Sequence, residues 1–510
     1  NNFYMLPFLL GLAGLLFLIN KSQEDLIVTG LLFLFSGVAI VVYLNAPAVE
    51  PRERDYAYAG SYYIFAIWIG LGVLYLADLI SKVLTNKKIV GILAIAIGLV
   101  VPAIMASEGW DDHDRSQRYF SVESAANMLE TCQPNAILFT EGDNDTFPLW
   151  FAQEVLGIRQ DVRVCNTSLL GTPWYIEQMT KKAYTSEALP LKFDKKLYQE
   201  GNNDYIRYYP NNPKKEDEII SLSKYLSLVK AQSAAVVRGD QTIFPSKRFG
   251  LNFNNKAEIV KNGSVPEKYK ELFLDNRYPR FEFEIQDNGF SKDALMTLEL
   301  ISEVNKENWN RPIYFASNRH PSGLGLGNFI MEEGMAYRLT PLPVARMGQH
   351  TVNIDLMYHN LMENEELKWT NLDDKSIFYS DQYGHFVSNT REKYFSLAHA
   401  LYLDKDYERA KAVINKSLAE IPDGPFYYDM YNFYMASAVL YPMGEKELAL
   451  EIINTMAERT VEVMNYQNLY GNQKPQYNVR TFYIYRSLNG AIKDFYQKNN
   501  LKNKIEEFGL

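Results

Sequence analysis

The stretch "ILFTEGDNDTFPLW" (137–150) runs from an apolar segment into a turn carrying Asp143, Asn144 and Asp145. Many sugar-nucleotide enzymes hold a divalent metal with such an Asp-x-Asp pair, and strand C-terminal ends are the usual ligand edge of an α/β sheet. The same residues also read as local structure. Gly142 and Asn144 supply a turn, and Asp145 or Thr146 caps a helix that starts near Pro148. Composition favours the cap. A second run, "EGWDDHDRSQRYF" (108–120), gathers Asp111, Asp112, His113 and Asp114 with Arg115 and Arg118. Carboxylates and an imidazole suit a divalent cation. Neighbours on one element cannot all face one point, however, so a complete site needs ligands from elsewhere, with Asp143 and Asp145 as the candidates. A solvated charge run is the plainer reading. A third segment, "NAPAVEPRERDYAYAGSYY" (45–63), holds Glu50, Arg52, Glu53, Arg54, Asp55 and Tyr56. Planar guanidinium forks bind phosphate oxygens bidentately, so Arg52 and Arg54 suit a lipid phosphate or pyrophosphate, with Glu50, Glu53, Asp55 and Tyr56 in support. Its alternative is an ordinary loop of Arg–Glu pairs.

Weaker signals carry less. "GLGLG" (323–327) lacks dinucleotide-fingerprint spacing, because Asn328 stands where the third glycine belongs, and it reads as loop. The sequence has no Cys/His pair at zinc spacing and no nucleophile elbow. No cofactor is certain; a divalent cation is the one candidate.

These residues must be positioned by a chain of 510 residues, which implies several domains. Residues 1–106 are mostly apolar, and the rest is polar and acidic. Four stretches, 3–19, 26–44, 62–80 and 89–106, are apolar enough to cross a bilayer, which takes about 20 residues each. Lys21 and the lysines of "SKVLTNKK" (81–88) place those loops inside, so residues 45–60 and everything after 107 lie outside. Arg52 and Arg54 sit on that outer side against the rule. A net charge of −9 and the lack of a basic block exclude a nucleic-acid partner. The 36 tyrosines suit carbohydrate or membrane-interface contacts and suit a core equally well. The two cysteines, Cys132 and Cys165, allow one bridge or two buried thiols. The first residue is Asn, and the chain reads as a piece of a longer protein.

Beyond the membrane part, "SVESAANMLETCQ" (121–133) is a helix, "AILFT" a strand, "PLWFAQEVLG" (148–157) a helix closed by Gly157, and "DVRVCNTSLL" (161–170) a strand. That order predicts a right-handed βαβ unit with a parallel pair. Residues 176–290 read as an irregular insertion in which "FEFEIQ" (281–286) is a strand. "SKDALMTLELISEVNKEN" (291–308) is a helix capped by Ser291, and "RPIYFA" (311–316) a strand beside the first two. From 391 the chain is helical and repetitive, with a turn at Lys405 and with Ala410 and Ala449 at matching positions. Its paired helices resemble tetratricopeptide repeats at longer spacing, a docking rather than a catalytic design. The expected fold class is therefore multi-domain. A bundle of four transmembrane helices (1–106) is followed by a membrane-proximal α/β domain with a small parallel or mixed sheet (107–350). A linker (351–390) then leads to helical repeats (391–510).

The strings "EPRERDY", "GWDDHDRSQRY", "NAILFTEGDNDTFPLWFAQEVLGIRQDVRVCN", "WYIEQM" and "NWNRPIYFA" together resemble one family across nearly the whole chain. It is the Bacteroidetes polytopic membrane proteins similar to the animal transmembrane protein O-mannosyltransferases. The resemblance implies a glycosyltransferase C type fold in a bacterial inner membrane, with residues 107–510 in the periplasm. It implies a polyprenyl-phosphate sugar as donor, mannose as the sugar, and Ser/Thr hydroxyls of exported proteins as acceptors. It also implies a catalytic carboxylate in a first outer loop, upstream of residue 1. This chain then supplies donor phosphate contact through Arg52 and Arg54, and acceptor contact from the soluble part. Asp111, Asp112, His113, Asp114, Arg115, Arg118, Asp143, Asn144 and Asp145 are the candidate lining residues. The partners on this reading are the bilayer, the lipid-linked sugar, the exported acceptors and a protein docked on the helical repeats. A non-catalytic, membrane-anchored scaffold of an envelope or secretion assembly is the alternative. A sugar-nucleotide enzyme ranks last, because nucleotides are scarce outside the cytosol, and the triplet then reads as a structural turn that touches a glycan or acceptor.

Overall fold

The computed structural model describes residues 2–45, 54–210, 218–275, 277–348, 350–469 and 479–510. They form two compact units, Asn1–Ser116 with Ala457–Leu510, and Gln117–Met456.

In the first unit, three apolar helices are long enough to cross a membrane: Gln23–Leu44, Asp55–Ser81 and Lys87–His113. The first of them is interrupted at Gly37, between Gln23–Ser36 and Val38–Leu44. The expected earliest span, 3–19, is instead the 16-residue helix Leu6–Lys21. Tyr4 and Met5 have positive φ, so the helix starts later than apolarity alone suggests and falls short of about 20 residues. Helix Leu6–Lys21 packs closely on helix Ala59–Ser81 through two glycines. A Cβ on Gly14 would lie 1.8 Å from the carbonyl oxygen of Trp68, and one on Gly72 would lie 2.1 Å from that of Leu10. Small residues at such crossings let backbones approach where hydrophobic burial offers no drive. The Trp68 indole N–H donates to Thr29 Oγ1 at 3.0 Å, and Phe33 and Phe65 pack around its ring. Lys21 Nζ lies 3.4 Å from Asp78 Oδ2, which sets the first loop and the 81–88 loop at the same end of the helices. Helices Val479–Lys498 and Lys502–Phe508 end the chain, with Tyr496 stacked on Phe508.

The second unit is built on a five-stranded mixed sheet. Strand Ile137–Thr140 runs parallel to Arg163–Asn166 on one side and to Ile313–Phe315 on the other. Tyr337–Leu339 and Ile330–Glu332 extend the sheet antiparallel beyond Ile313–Phe315. The expected parallel pair and the third strand beside it are therefore present. Side chains alternate between two cores, as period-two geometry requires. Ile137, Phe139, Cys165, Ile313 and Phe315 enter a large apolar cluster on one face. Leu138, Val164 and Tyr314 enter a smaller one, with Leu129 and Leu149, on the other. Cys132 and Cys165 are free, buried thiols. Burial pushes the Cys165 thiol up to about 12.

Three boundaries differ from the sequence reading for local reasons. The helix after the first strand spans Asp143–Glu154, so Pro148 lies inside it rather than in its first turn. The strand expected over 161–170 stops at Asn166, whose side chain accepts from Leu169 N (3.0 Å) and starts helix Thr167–Leu170. Ser291 does precede helix Lys292–Lys306, but its hydroxyl bonds Asp293 and makes no cap hydrogen bond. Gly157 has φ +71° and closes its helix as expected.

The 176–290 region is more ordered than its composition suggests. Tyr205–Tyr208, Gln241–Phe244, Val237–Arg238 and Gly289–Ser291 form a second sheet, and Ile220–Ser221, Arg248–Asn252 and Arg280–Glu284 a third. The "FEFEIQ" segment is the last of these strands, with Phe281 and Phe283 buried. Helix Lys292–Lys306 is buried along nearly its whole length, and its apolar side chains join the large cluster. Its buried carboxylates are ion-paired: Glu299 with Lys230, and Glu303 with Lys192 and Lys306. The C-terminal part is helical. Helices Asp381–Leu403 and Tyr407–Glu420 turn at Lys405, which has φ +65°. Ala410 and Ala449, the matching positions, are both fully buried.

Candidate functional site

From strand Ile137–Thr140 the chain first moves to one side, to Arg163–Asn166, and later returns to the other, at Ile313–Phe315. A crevice opens beyond the carboxyl ends of strands where connections diverge in this way, and ligands of open α/β sheets bind there. Glu141-Gly142 and Ala316-Ser317 are the residues that leave the two strands at this point.

The floor of the crevice is a closed polar network. Thr140 and Thr146 share a hydroxyl–hydroxyl bond of 2.7 Å, Asn166 Nδ2 donates to Thr146 Oγ1 at 2.8 Å, and Thr167 Oγ1 donates to the Thr140 carbonyl at 2.9 Å. All four residues are buried, and satisfied groups of this kind hold the strand ends rigid. Above them stands Glu141. Its Oε1 accepts from Ser317 Oγ at 2.7 Å and from the backbone N–H of His320 at 2.9 Å. The Ser168 hydroxyl donates to its carbonyl. The imidazole of His320 packs against the stacked rings of Phe139 and Phe315, and its Nε2 lies 3.3 Å from Thr297 Oγ1. Thr297 also donates its hydroxyl to Asp293 O at 2.8 Å. Burial holds His320 below the usual histidine range, against the opposing pull of Asp293 and Glu141. The crevice therefore sets the anchored side chain of Glu141 beside an imidazole whose burial favours the neutral form.

Two cavities meet at Glu141, Gly142 and Arg319. One, of about 500 Å³, is lined by Asp143, Asn144, Ser317, Asn389 and Lys393, among others. The other, of about 850 Å³, is lined by Ser168, Tyr205, Asp293 and His320, among others. A third, of about 380 Å³, runs from Asp143 and Asn144 along Phe120, Phe147, Tyr383 and Phe386. The surface thus offers amide and carboxylate groups next to aromatic faces. Hydroxyl-rich rings and extended peptides are both held by that combination.

The residues singled out from the sequence have separate roles. Asp143 and Asn144 are exposed in the first turn of their helix and line the crevice. Asp145 lines the same cavities, but its carboxylate is engaged: it accepts the N–H groups of Glu141 and Gly142, both at 2.9 Å, and caps the helix. His113 Nδ1 contacts its own helix at Gly109 O (2.7 Å). Arg115 donates to Asp112 O at 2.7 Å, and Asp114 Oδ1 accepts from Ser116 N at 2.8 Å, so these groups finish the end of helix Lys87–His113. Asp111 is exposed on the last turn of that helix. Arg118 donates to Phe378 O at 3.1 Å and stacks 5.7 Å over Tyr383. Among the described residues, no three His, Cys, Asp or Glu side chains come together to hold a metal. Glu50, Arg52 and Glu53 lie outside the described residues. Arg54, Asp55 and Tyr56 open the short helical turn before Ala59–Ser81, and Tyr56 is exposed. Glu141, Ser317, Arg319 and His320 were not singled out by the sequence; the signal available was the position of Glu141 directly after a strand and before a glycine.

Residues 121–356 match the family model of TMEM260-associated domain 2. The matched span takes in all three sheets and the whole crevice rim from Glu141 to His320. No curated protein and no solved structure matches the chain.

Proposed function

We propose that this chain is part of a membrane glycosyltransferase that moves a sugar from a lipid-phosphate donor to Ser/Thr hydroxyls of exported proteins. In this reading its second unit holds the acceptor. The supporting observation is the crevice at the diverging strand ends, whose rim from Glu141 to His320 lies within the segment similar to TMEM260-associated domain 2 and whose far wall, with Asn389 and Lys393, lies beyond it. TMEM260 itself is an animal protein O-mannosyltransferase-like membrane protein. The donor is a polyprenyl-phosphate sugar, with mannose as the first candidate, and residues 107–510 lie outside the cytoplasmic membrane.

The division of labour follows from the chemistry. Glu141 accepts a hydrogen bond from a hydroxyl or amide of the acceptor, Asn144 and Asn389 offer amide pairs to a peptide backbone or glycan, and Arg319 offers a guanidinium at the junction of the two cavities. Arg52 and Arg54 neutralise the phosphate that leaves with the lipid, since charge that develops in the transition state is best met by fixed cations. We assign no bond-making carboxylate to this chain, and no metal.

The test is glycoprotein labelling in cells that carry the protein in its natural length. Arg52→Ala with Arg54→Ala is expected to abolish labelling, and Glu141→Ala with Asn144→Ala to weaken it while the protein stays in the membrane. Unchanged labelling in both double variants overturns the reading. A stable partner cross-linked through residues 391–496, with glycan staining indifferent to every variant, establishes the scaffold alternative instead.

A further inference from the structure

A different part of the second unit carries an unassigned pocket. Strands Arg248–Asn252 and Arg280–Glu284 pair antiparallel, with Arg248 opposite Glu284, Gly250 opposite Glu282, and Asn252 opposite Arg280. Phe249, Leu251, Phe281 and Phe283 turn into the core, so the polar residues between them share the outer face. That face is one wall of a cavity of about 340 Å³. The "GLGLG" loop closes it on another side. Gly325 has φ +75°, and a Cβ there would lie 1.8 Å from the Glu284 carbonyl oxygen, so only glycine brings the loop this close.

Four guanidinium groups line this cavity, those of Arg248, Arg277, Arg280 and Arg346, against two carboxylates, Glu282 and Glu284. Glu282 is shared: Oε1 accepts from Arg248 Nη2 at 2.6 Å and Oε2 from Arg280 Nε at 3.1 Å. Arg277 uses Nε on Asp275 at 2.9 Å. Arg346 is exposed, and among the described residues its side chain makes no hydrogen bond or ion pair, its backbone N–H alone donating to Pro343 O at 2.9 Å. The stem of Arg280 lies across Gly250, where a Cβ would stand 3.2 Å from its Cδ. One carboxylate thus orients two arginines by one edge each and leaves further N–H groups of Arg280 for a ligand. A cluster of positive charge in a concave site of a chain with net charge −9 is not average surface.

The geometry points to a binding site for a phosphate group, as a phosphate ester of a small molecule or as a lipid headgroup. Arginine forks match phosphate oxygens in pairs, and a concave site sustains the attraction better than flat surface does. Glu284 is the opposing charge within the site. The site is independent of the proposed glycosyl transfer and shares no residue with the crevice.

The full chain purified in detergent is titrated with inorganic phosphate by calorimetry at low ionic strength, and separately in micelles doped with phosphatidylglycerol or phosphatidylcholine. Phosphate is expected to bind, and to bind more weakly as salt rises. Arg346→Glu changes an exposed side chain and leaves the shared Glu282 contacts intact, so the variant is expected to keep the parent's melting temperature. It is expected to lower affinity at least about tenfold, or about 1.4 kcal/mol. Glu284→Gln is expected to raise affinity, which a merely structural role would not produce. Stabilisation by phosphatidylglycerol over phosphatidylcholine that Arg346→Glu removes makes the source a headgroup; phosphate binding without that preference makes it a soluble ester. No binding of either probe, or binding that Arg346→Glu and Glu284→Gln leave unaltered, overturns the site.

Discussion

Glu141 is fixed by a hydroxyl and a backbone amide that lie 176 and 179 residues further along the chain. Glu141→Ala leaves both donors short of a partner and is expected to cost about 1–3 kcal/mol, read as a lower melting temperature of the full chain in detergent. Glu141→Gln keeps an acceptor oxygen and is expected to lose less. Asp145→Ala removes the cap bonds at Glu141 and Gly142 and is expected to cost about 1 kcal/mol, with faster amide exchange at those two residues. Asp143→Ala and Asn144→Ala alter exposed groups and are expected to stay within about 0.5 kcal/mol of the parent. His320 gives a pH signature. Its folded pKa lies below the ordinary value, so the unfolded chain takes up the proton first as pH falls. Stability from this group is complete above about pH 6.5 and declines as pH drops below it toward the depressed folded value. His320→Gln is expected to flatten the fall in melting temperature between about pH 7.5 and pH 5. At this scale the sequence was half legible. The triplet's dual nature could be seen, with Asp145 as cap and Asp143-Asn144 as rim. The Glu141 cluster could not, because its partners are distant in the chain.

Elements were easier to read where local chemistry is strong. Apolar strands bounded by turn residues, the helices between them and the turn at Lys405 all exist in the expected order, with shifted ends at the 148–157 helix and the 161–170 strand. Pro148 misled because proline prefers the first helical turn, whereas the Asp145 cap starts this helix five residues earlier. The small sheets of the insertion were hidden for another reason. Their strands are two to five residues long and pair across long loops, as Tyr205–Tyr208 does with Gly289–Ser291. Among the membrane helices, the Gly14–Gly72 crossing makes a sharp prediction. Gly14→Val puts atoms where the Trp68 carbonyl stands and is expected to destabilise the helix pair by about 1–3 kcal/mol, whereas Gly30→Ala meets open space and is expected to be neutral. Thermal unfolding in detergent compares the two.

The whole molecule should have one orientation in the membrane. Cys132 and Cys165 are buried, so they leave a quiet background for thiol labelling. A membrane-impermeant maleimide on intact inner-membrane vesicles of known sidedness is expected to reach Ser116→Cys from the outer face. It is expected to reach Val83→Cys, an exposed site in the loop after helix Ala59–Ser81, from the cytoplasmic face only. Labelling of both positions from one face would reverse the assignment of the soluble part.

The central strand Ile137–Thr140 has one neighbour nearby in the chain and another that arrives only with Ile313–Phe315. Ribosomes add about 5–20 residues each second, so the second neighbour emerges on the order of ten seconds after the first. Throughout that interval the strand's open edge, flanked by Phe139 and Leu138, faces whatever else is nearby. The middle of the sheet is thus completed last, and until then its open edge is the part of the second unit most exposed to mispairing.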